Sequence, residues 1–312
     1  MRALRLEHRT AARDADTPLS QPAAAGPFAL ECANEPGPWL FLHVPKTAGS
    51  SVYSILRTLL KPTELLKLHP NGEMLGRIRA LPPSHRARLK VLYGHVDVHV
   101  TRQVVPLQRC VTLLRDPVQR IVSYYAFVKH MDRGAHSDLA RRASITQWID
   151  ALRLPETDNG MVRRFSGALH EAGIGGCTRQ MLERAKANLA QFAVVGLTDR
   201  FDEFYALLAS RLGQPMRTYV AEKVNAHRPR IDQLDRRTLA EIERRNALDR
   251  ELYRFGTELF AQQLSTTDLS PAIEEFRHRC SSEPLRLHDA TRRIAFARWK
   301  KLRRWSPYPF LG

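Results

Sequence analysis

"WLFLHVPKTAGSSVYSILRTLL", Trp39 to Leu60, changes its hydrophobic period in the middle. Trp39 to Val44 is a continuous apolar run interrupted only by His43, the pattern of a strand buried on both faces and hence of a parallel sheet. Val52, Ile55, Leu56, Leu59 and Leu60 then recur at helical spacing on one face, and Pro62 stops the helix. Pro45 to Ser51 joins the two, beyond the carboxyl end of the strand and at the amino end of the helix. Unsatisfied N–H groups and the positive end of the helix dipole make such a place an anion site. Gly49 admits close approach of the backbone to a ligand, Ser50 and Ser51 add hydroxyls, and Lys46 adds a full charge. The lysine precedes the glycine, unlike the GxxxxGK[ST] phosphate loop, which ends on it. Taken alone, the loop also reads as an ordinary strand-to-helix turn with an exposed lysine.

The same alternation continues downstream. "LKVLYGH" (89–95) predicts a second strand, "RCVTLL" (109–114) a third and "FAVVGL" (192–197) a fourth. Asp116 and Pro117 read as N-cap and first helical residue, and Val118, Ile121, Val122 and Tyr125 give that helix its buried stripe. "EMLGRIRAL" is helix-like, "FDEFYALLASRLG" is a helix with a glycine stop, and Leu239 to Leu264 reads as one long helix. Strands alternating with helices imply an α/β fold with a doubly wound, mainly parallel sheet flanked by helices. In such a sheet ligands bind beyond the carboxyl ends of the strands. Arg115 stands at one of those ends, with Ser123 two turns into the next helix, and a guanidinium fork plus a hydroxyl suits a phosphate. Alone, Arg115 reads equally as an ion-pair residue and Ser123 as a surface hydroxyl. Together with the lysine loop they imply a ligand carrying two separated anionic groups.

These residues carry a resemblance. "HVPKTAGSS" resembles the 5′-phosphosulfate loop of sulfotransferases that use 3′-phosphoadenosine 5′-phosphosulfate (PAPS), and "RDPVQRIVSYY" is similar to their 3′-phosphate segment. The likeness is to the carbohydrate branch that includes heparan sulfate 2-O-sulfotransferase and soluble bacterial relatives. It is strong over residues 39–130 and weaker in "DNGMVRRFSG", "VVGLTDRFDEF" and "NALDRELYRFG". The resemblance implies a P-loop-like sheet in which Lys46, Thr47, Ala48, Gly49, Ser50 and Ser51 hold the 5′-phosphosulfate, while Arg115 and Ser123 hold the 3′-phosphate. It implies His95 as the base that deprotonates an acceptor hydroxyl, with Lys46 stabilising the leaving group. That branch carries a further histidine just before the glycine, where this chain has Tyr93. The family also closes a later basic loop over the nucleotide, and "EKVNAHRPR", with Lys223, Asn225 and Arg228, is the candidate for it.

The implied function is transfer of a sulfuryl group from PAPS, without metal, to a hydroxyl-bearing acceptor such as a saccharide or glycolipid. The variable segments 61–88 and 131–158 are the expected acceptor walls. A P-loop kinase or NTPase is the competing reading, disfavoured by the lysine-first loop and the lack of an evident magnesium-binding aspartate. Lys+Arg of 49 against Asp+Glu of 32, a net charge of +17, attracts anions without naming them, so a nucleic-acid-binding protein is a third reading; the ordered loops favour no nucleic-acid partner. His95, Asp97 and His99 would share one face of an extended strand and could ligate metal, although the expectation is none.

Residues 1–36 read as a flexible lead-in, 37–264 as the α/β domain and 265–312 as a basic helical tail. Between Arg277 and Arg304 that tail has ten Arg or Lys against two acids, interleaved with Ile294, Phe296, Trp299 and Leu302. It suits an anionic membrane surface, a polyanionic acceptor or docking on the domain itself. Four scattered cysteines (Cys32, Cys110, Cys177, Cys280) suggest neither disulfide framework nor zinc site. With the charged start "MRALRLEHRTAARDAD", they predict a cytoplasmic, at most membrane-peripheral, protein.

Overall fold

The computed structural model describes residues 37–68, 74–131, 135–219 and 229–282. Their order is β1 (Trp39–Leu42), α1 (Gly49–Leu59), β2 (Leu65–Leu68), α2 (Met74–Arg79), α3 (Pro83–Arg86), β3 (Val91–Gly94), α4 (Val98–Arg102), β4 (Cys110–Leu114) and α5 (Pro117–Lys129). Then follow α6 (Ala135–Arg142), α7 (Ile145–Leu152), α8 (Gly160–Ser166), α9 (Arg179–Leu189), β5 (Val194–Leu197), α10 (Phe201–Arg211), α11 (Arg236–Arg245), α12 (Ala247–Ser265) and α13 (Ser270–Ser282).

The five strands form one parallel sheet in the order β2-β3-β1-β4-β5. The chain leaves β1 toward one edge of the sheet and leaves β4 toward the other, so the order reverses between two paired neighbours. That crevice is where a doubly wound sheet binds its ligand. Strand interiors are buried throughout, as their unbroken apolar runs require: every residue of β3, β4 and β5 is buried.

Two elements differ from the sequence reading. β2 occupies part of the segment read as variable; Leu65, Leu66 and Leu68 are buried around a half-buried Lys67. Its short alternating run, close to Pro62, carries little strand signal of its own, and pairing with β3 supplies the rest. The long helix 239–264 is two helices, α11 and α12, broken at Asn246. The break is made by tertiary hydrogen bonds: buried Asn246 accepts from Asn159 N–H at 3.2 Å and donates to the Thr157 carbonyl at 3.3 Å.

A second apolar cluster lies beside the main core, where Val118, Ile121, Val122 and Tyr125 of α5 meet Trp148, Ile149 and Ile242. It fixes the helix that begins at Asp116, whose carboxylate caps Gln119 N–H at 2.8 Å. The tail begins on the domain: Phe276 of α13 is buried against Tyr205 and stacks on Tyr219 at 6.0 Å. Its aromatic residues beyond 282 lie outside the described residues. No helix among the described residues is long and apolar enough to cross a membrane.

Candidate active site

The loop after β1 is held in an unusual backbone. Lys46 and Ala48 both adopt left-handed conformations, at φ 72° and 61°, each costing about 1–2 kcal/mol for a residue with a side chain. Ala48 caps α1 with no side-chain hydrogen bond, and Ser51 N–H turns back to the Ala48 carbonyl at 2.9 Å, which leaves the N–H groups of Gly49 and Ser50 for another acceptor. Strain of this kind persists where the surroundings impose it, and it clusters at binding sites. Thr47 is fully buried and its hydroxyl donates to the Val44 carbonyl at 2.9 Å, so its side chain braces the loop from within. Ser51 is buried, while Ser50 is half-buried on the outer side.

Gly49 has a reason beyond ligand approach. A Cβ there would overlap the Cδ2–Nε2 edge of the His43 imidazole. The donor-type loop therefore rests directly on a histidine.

Arg115, at the end of β4, donates from Nη1 to the Lys46 carbonyl at 3.1 Å and from Nη2 to Gln119 Oε1 at 3.4 Å. The two anion loops are thus in contact across the β1–β4 crevice. Ser123 lies half-buried on α5, and the Lys46 ammonium sits 3.9 Å from the ring centroid of Phe127, one turn further along the same helix. Beside them a cavity of about 660 Å³ is lined by Gln119, Val122 and the segment Pro229–Leu234. Lys223, Asn225 and Arg228 lie outside the described residues, immediately before that segment.

His95 follows Gly94, whose missing side chain lets β3 end against Leu68: a Cβ would lie 2.7 Å from the Leu68 carbonyl oxygen. His95 Nδ1 donates to the His43 carbonyl at 3.0 Å. That bond fixes the tautomer and leaves Nε2 as the basic nitrogen. Burial, then the charge of Arg164, lower its pKa to about 4, against a smaller upward pull from the His43 carbonyl and Glu156. A neutral imidazole with one free lone pair is the form a general base needs. The extended His95-Asp97-His99 face does not exist. Asp97 is the N-cap of α4, accepting from Val100 N–H at 2.8 Å, and His99 lies within the helix. Among the described residues no group of three or more His, Cys, Asp or Glu is arranged for a metal ion.

Five residues of this neighbourhood were not assigned a role from sequence. His43, visible there only as a break in an apolar run, stacks on His95 with ring centroids 4.0 Å apart. Tyr93 places its hydroxyl 2.7 Å from His43 Nδ1. Arg164, buried on α8, donates to the Val96 carbonyl at 2.8 Å and pairs with Glu156. Glu156 in turn reaches Arg120 of α5, whose Nη2 donates to its carbonyl at 2.9 Å. A linked set of charges, with Glu156 half-buried between the buried Arg164 and Arg120, therefore runs from the base's loop to the helix that carries Ser123.

Comparison with known proteins identifies the family. A heparin sulfate O-sulfotransferase of Drosophila melanogaster is 26% identical over 193 residues, covering 55% of this chain and 55% of that protein. The chain thus spans about half the length of the curated relative it matches. Residues 38–256 match the sulfotransferase family, from the start of β1 into α12. The chain belongs to the sulfotransferase family.

Proposed function

We propose that this sulfotransferase takes its sulfuryl group from PAPS and delivers it to a hydroxyl of a saccharide or glycolipid. The observation that carries the donor assignment is the contact of Arg115 with the Lys46 carbonyl, which puts two cationic anion sites side by side at the switch point of the sheet. Lys46 and the N–H groups of Gly49 and Ser50 at the start of α1 would hold the 5′-phosphosulfate. Arg115 and Ser123 would hold the 3′-phosphate, which ATP lacks, with adenosine toward the cavity at Gln119 and Val122. His95 Nε2 takes the proton of the acceptor hydroxyl as its oxygen attacks sulfur. The bond from sulfur to the 5′-phosphate oxygen breaks, and Lys46 stabilises the charge that 3′,5′-ADP carries away. The protein contributes positioning and electrostatics, as in phosphoryl transfer. The name of the Drosophila relative supports a carbohydrate acceptor.

Calorimetry with 3′,5′-ADP and 5′-AMP tests the donor assignment. A charge-assisted hydrogen bond of about 1.5–3 kcal/mol means that Arg115→Ala should weaken 3′,5′-ADP by roughly 10–100-fold and 5′-AMP far less. Equal losses would remove the 3′-phosphate assignment. Magnesium-dependent consumption of ATP would replace the whole reading by a kinase or NTPase.

A further inference from the structure

Two imidazoles meet at this site, and only His95 has been given a task. His43 is 7% exposed, packed between His95, Tyr93 and the first residue of α1. Its Nδ1 is engaged by the Tyr93 hydroxyl. The tautomer follows from where an orphan would fall. Tyr93 is 3% exposed and its hydroxyl makes no other hydrogen bond among the described residues, so a His43 carrying its proton on Nδ1 would strand a buried phenolic O–H. Stranding such a donor costs about 1–3 kcal/mol. The favoured arrangement has the Tyr93 O–H donating to Nδ1 and the His43 proton on Nε2.

Nε2 has no hydrogen-bond partner among the described residues, and it lies on the ring edge that faces Gly49, where the anion loop enters α1. The stacked rings are therefore in opposite tautomers. His95 offers a lone pair and His43 offers an N–H.

We propose that His43 is a second active-site imidazole, whose Nε2–H donates to an oxygen of the sulfuryl group while His95 Nε2 accepts the acceptor's proton. The proposal rests on the sulfuryl-transfer reading above. It leaves the balance of that step unchanged, since His43 gives up no proton and only stabilises negative charge gathering on the sulfuryl oxygens. Tyr93 then acts as a positioning residue, setting the tautomer of His43. The surroundings keep His43 neutral: burial first, then the repulsion that protonating both stacked rings would bring and the charges of Arg164, Lys67 and Lys46, hold its pKa well below the usual histidine value.

Two measurements test this. Nitrogen-15 NMR of the histidines in the full chain reads the tautomer without any ligand. His43 protonated on Nε2, with Tyr93→Phe mixing the two tautomers, supports the proposal; protonation on Nδ1 overturns it. Turnover with PAPS reads the donor. His43→Leu keeps volume and removes the N–H, and should lower kcat by about 10²-fold, the loss expected for one preorganised donor. His43→Gln places an amide N–H near the position of Nε2 and should recover most of that loss. Equal losses in both variants, in chains whose circular dichroism matches wild type, would make His43 a packing residue and overturn the proposal. A His43→Leu chain as fast as wild type overturns it while leaving the PAPS reading intact. A wild-type chain that transfers nothing from PAPS defeats that reading, and this proposal with it.

Discussion

At His95 the chemistry is set by two contacts, the carbonyl that takes its Nδ1–H and the guanidinium that opposes its charge. His95→Ala should cost about 10²–10⁴-fold in kcat, the usual worth of a positioned general base, with little change in donor affinity; unchanged turnover would remove it from that role. The base works unprotonated, so activity should rise with pH through about 4 and stay level above it. Arg164→Gln removes the largest opposing charge and should move this acid limb upward, toward the unperturbed value near 6.5. An acid limb that stays in place in the kcat profile would refute the electrostatic role of Arg164. The same shift bears on stability. Between pH 6.5 and about 4 the unfolded chain binds a proton at this position and the folded chain does not, so acidification through that window destabilises the fold. Thermal melts of His95→Gln should accordingly lose less on going from pH 7 to pH 4 than wild type, and an equal loss would contradict this.

Among the elements, α8 and α12 cap one another. Asp249, fully buried near the start of α12, accepts from Met161 and Val162 N–H at 3.1 and 2.8 Å and from Arg120 at 3.2 Å. Asn159, before α8, accepts from Leu248 and Asp249 N–H at 3.0 and 3.1 Å. The segments "DNGMVRRFSG" and "NALDRELYRFG", which carry the weaker part of the family likeness, are thus two halves of one joint. Asp249→Ala leaves a buried guanidinium and two N–H groups without their acceptor, and should cost about 3–5 kcal/mol by urea denaturation. Asp138→Ala, in an exposed i,i+3 pair with Arg141, should cost no more than about 1 kcal/mol. Similar losses in the two variants would deny the joint its structural weight. The strand and helix at β1–α1 were legible because each has its own period. The break at Asn246 was not, since beside its local bond to the Ile242 carbonyl the side chain is held by residues 87 and 89 positions away.

Over the whole molecule, sheet order decides which loops become a site. Arg115 and Lys46 are 69 residues apart in sequence, and they meet because β4 enters beside β1 rather than beside β3. The series Arg164, Glu156 and Arg120 then ties the loop after β3 to α5. The tail contributes as well. Phe276 anchors α13 on α10, and Phe276→Ala should cost about 3–5 kcal/mol, the usual loss for a buried phenylalanine, as a lowered urea midpoint. An unchanged midpoint would mean that α13 adds nothing to the fold.

The amino-acid sequence alone determined the α/β class, the lysine loop, the arginine at the end of β4 and the histidine after Gly94. Each is written in a local pattern, a change of hydrophobic period at a turn with particular residues on it. Only the tertiary structure decided that His43 lies under Gly49 and against His95, that Tyr93 sets its hydrogen bond, and that Arg164 charges the ground beneath the base. Those contacts join different strands and helices, and chain periodicity carries no information about which side chains a parallel sheet will bring together.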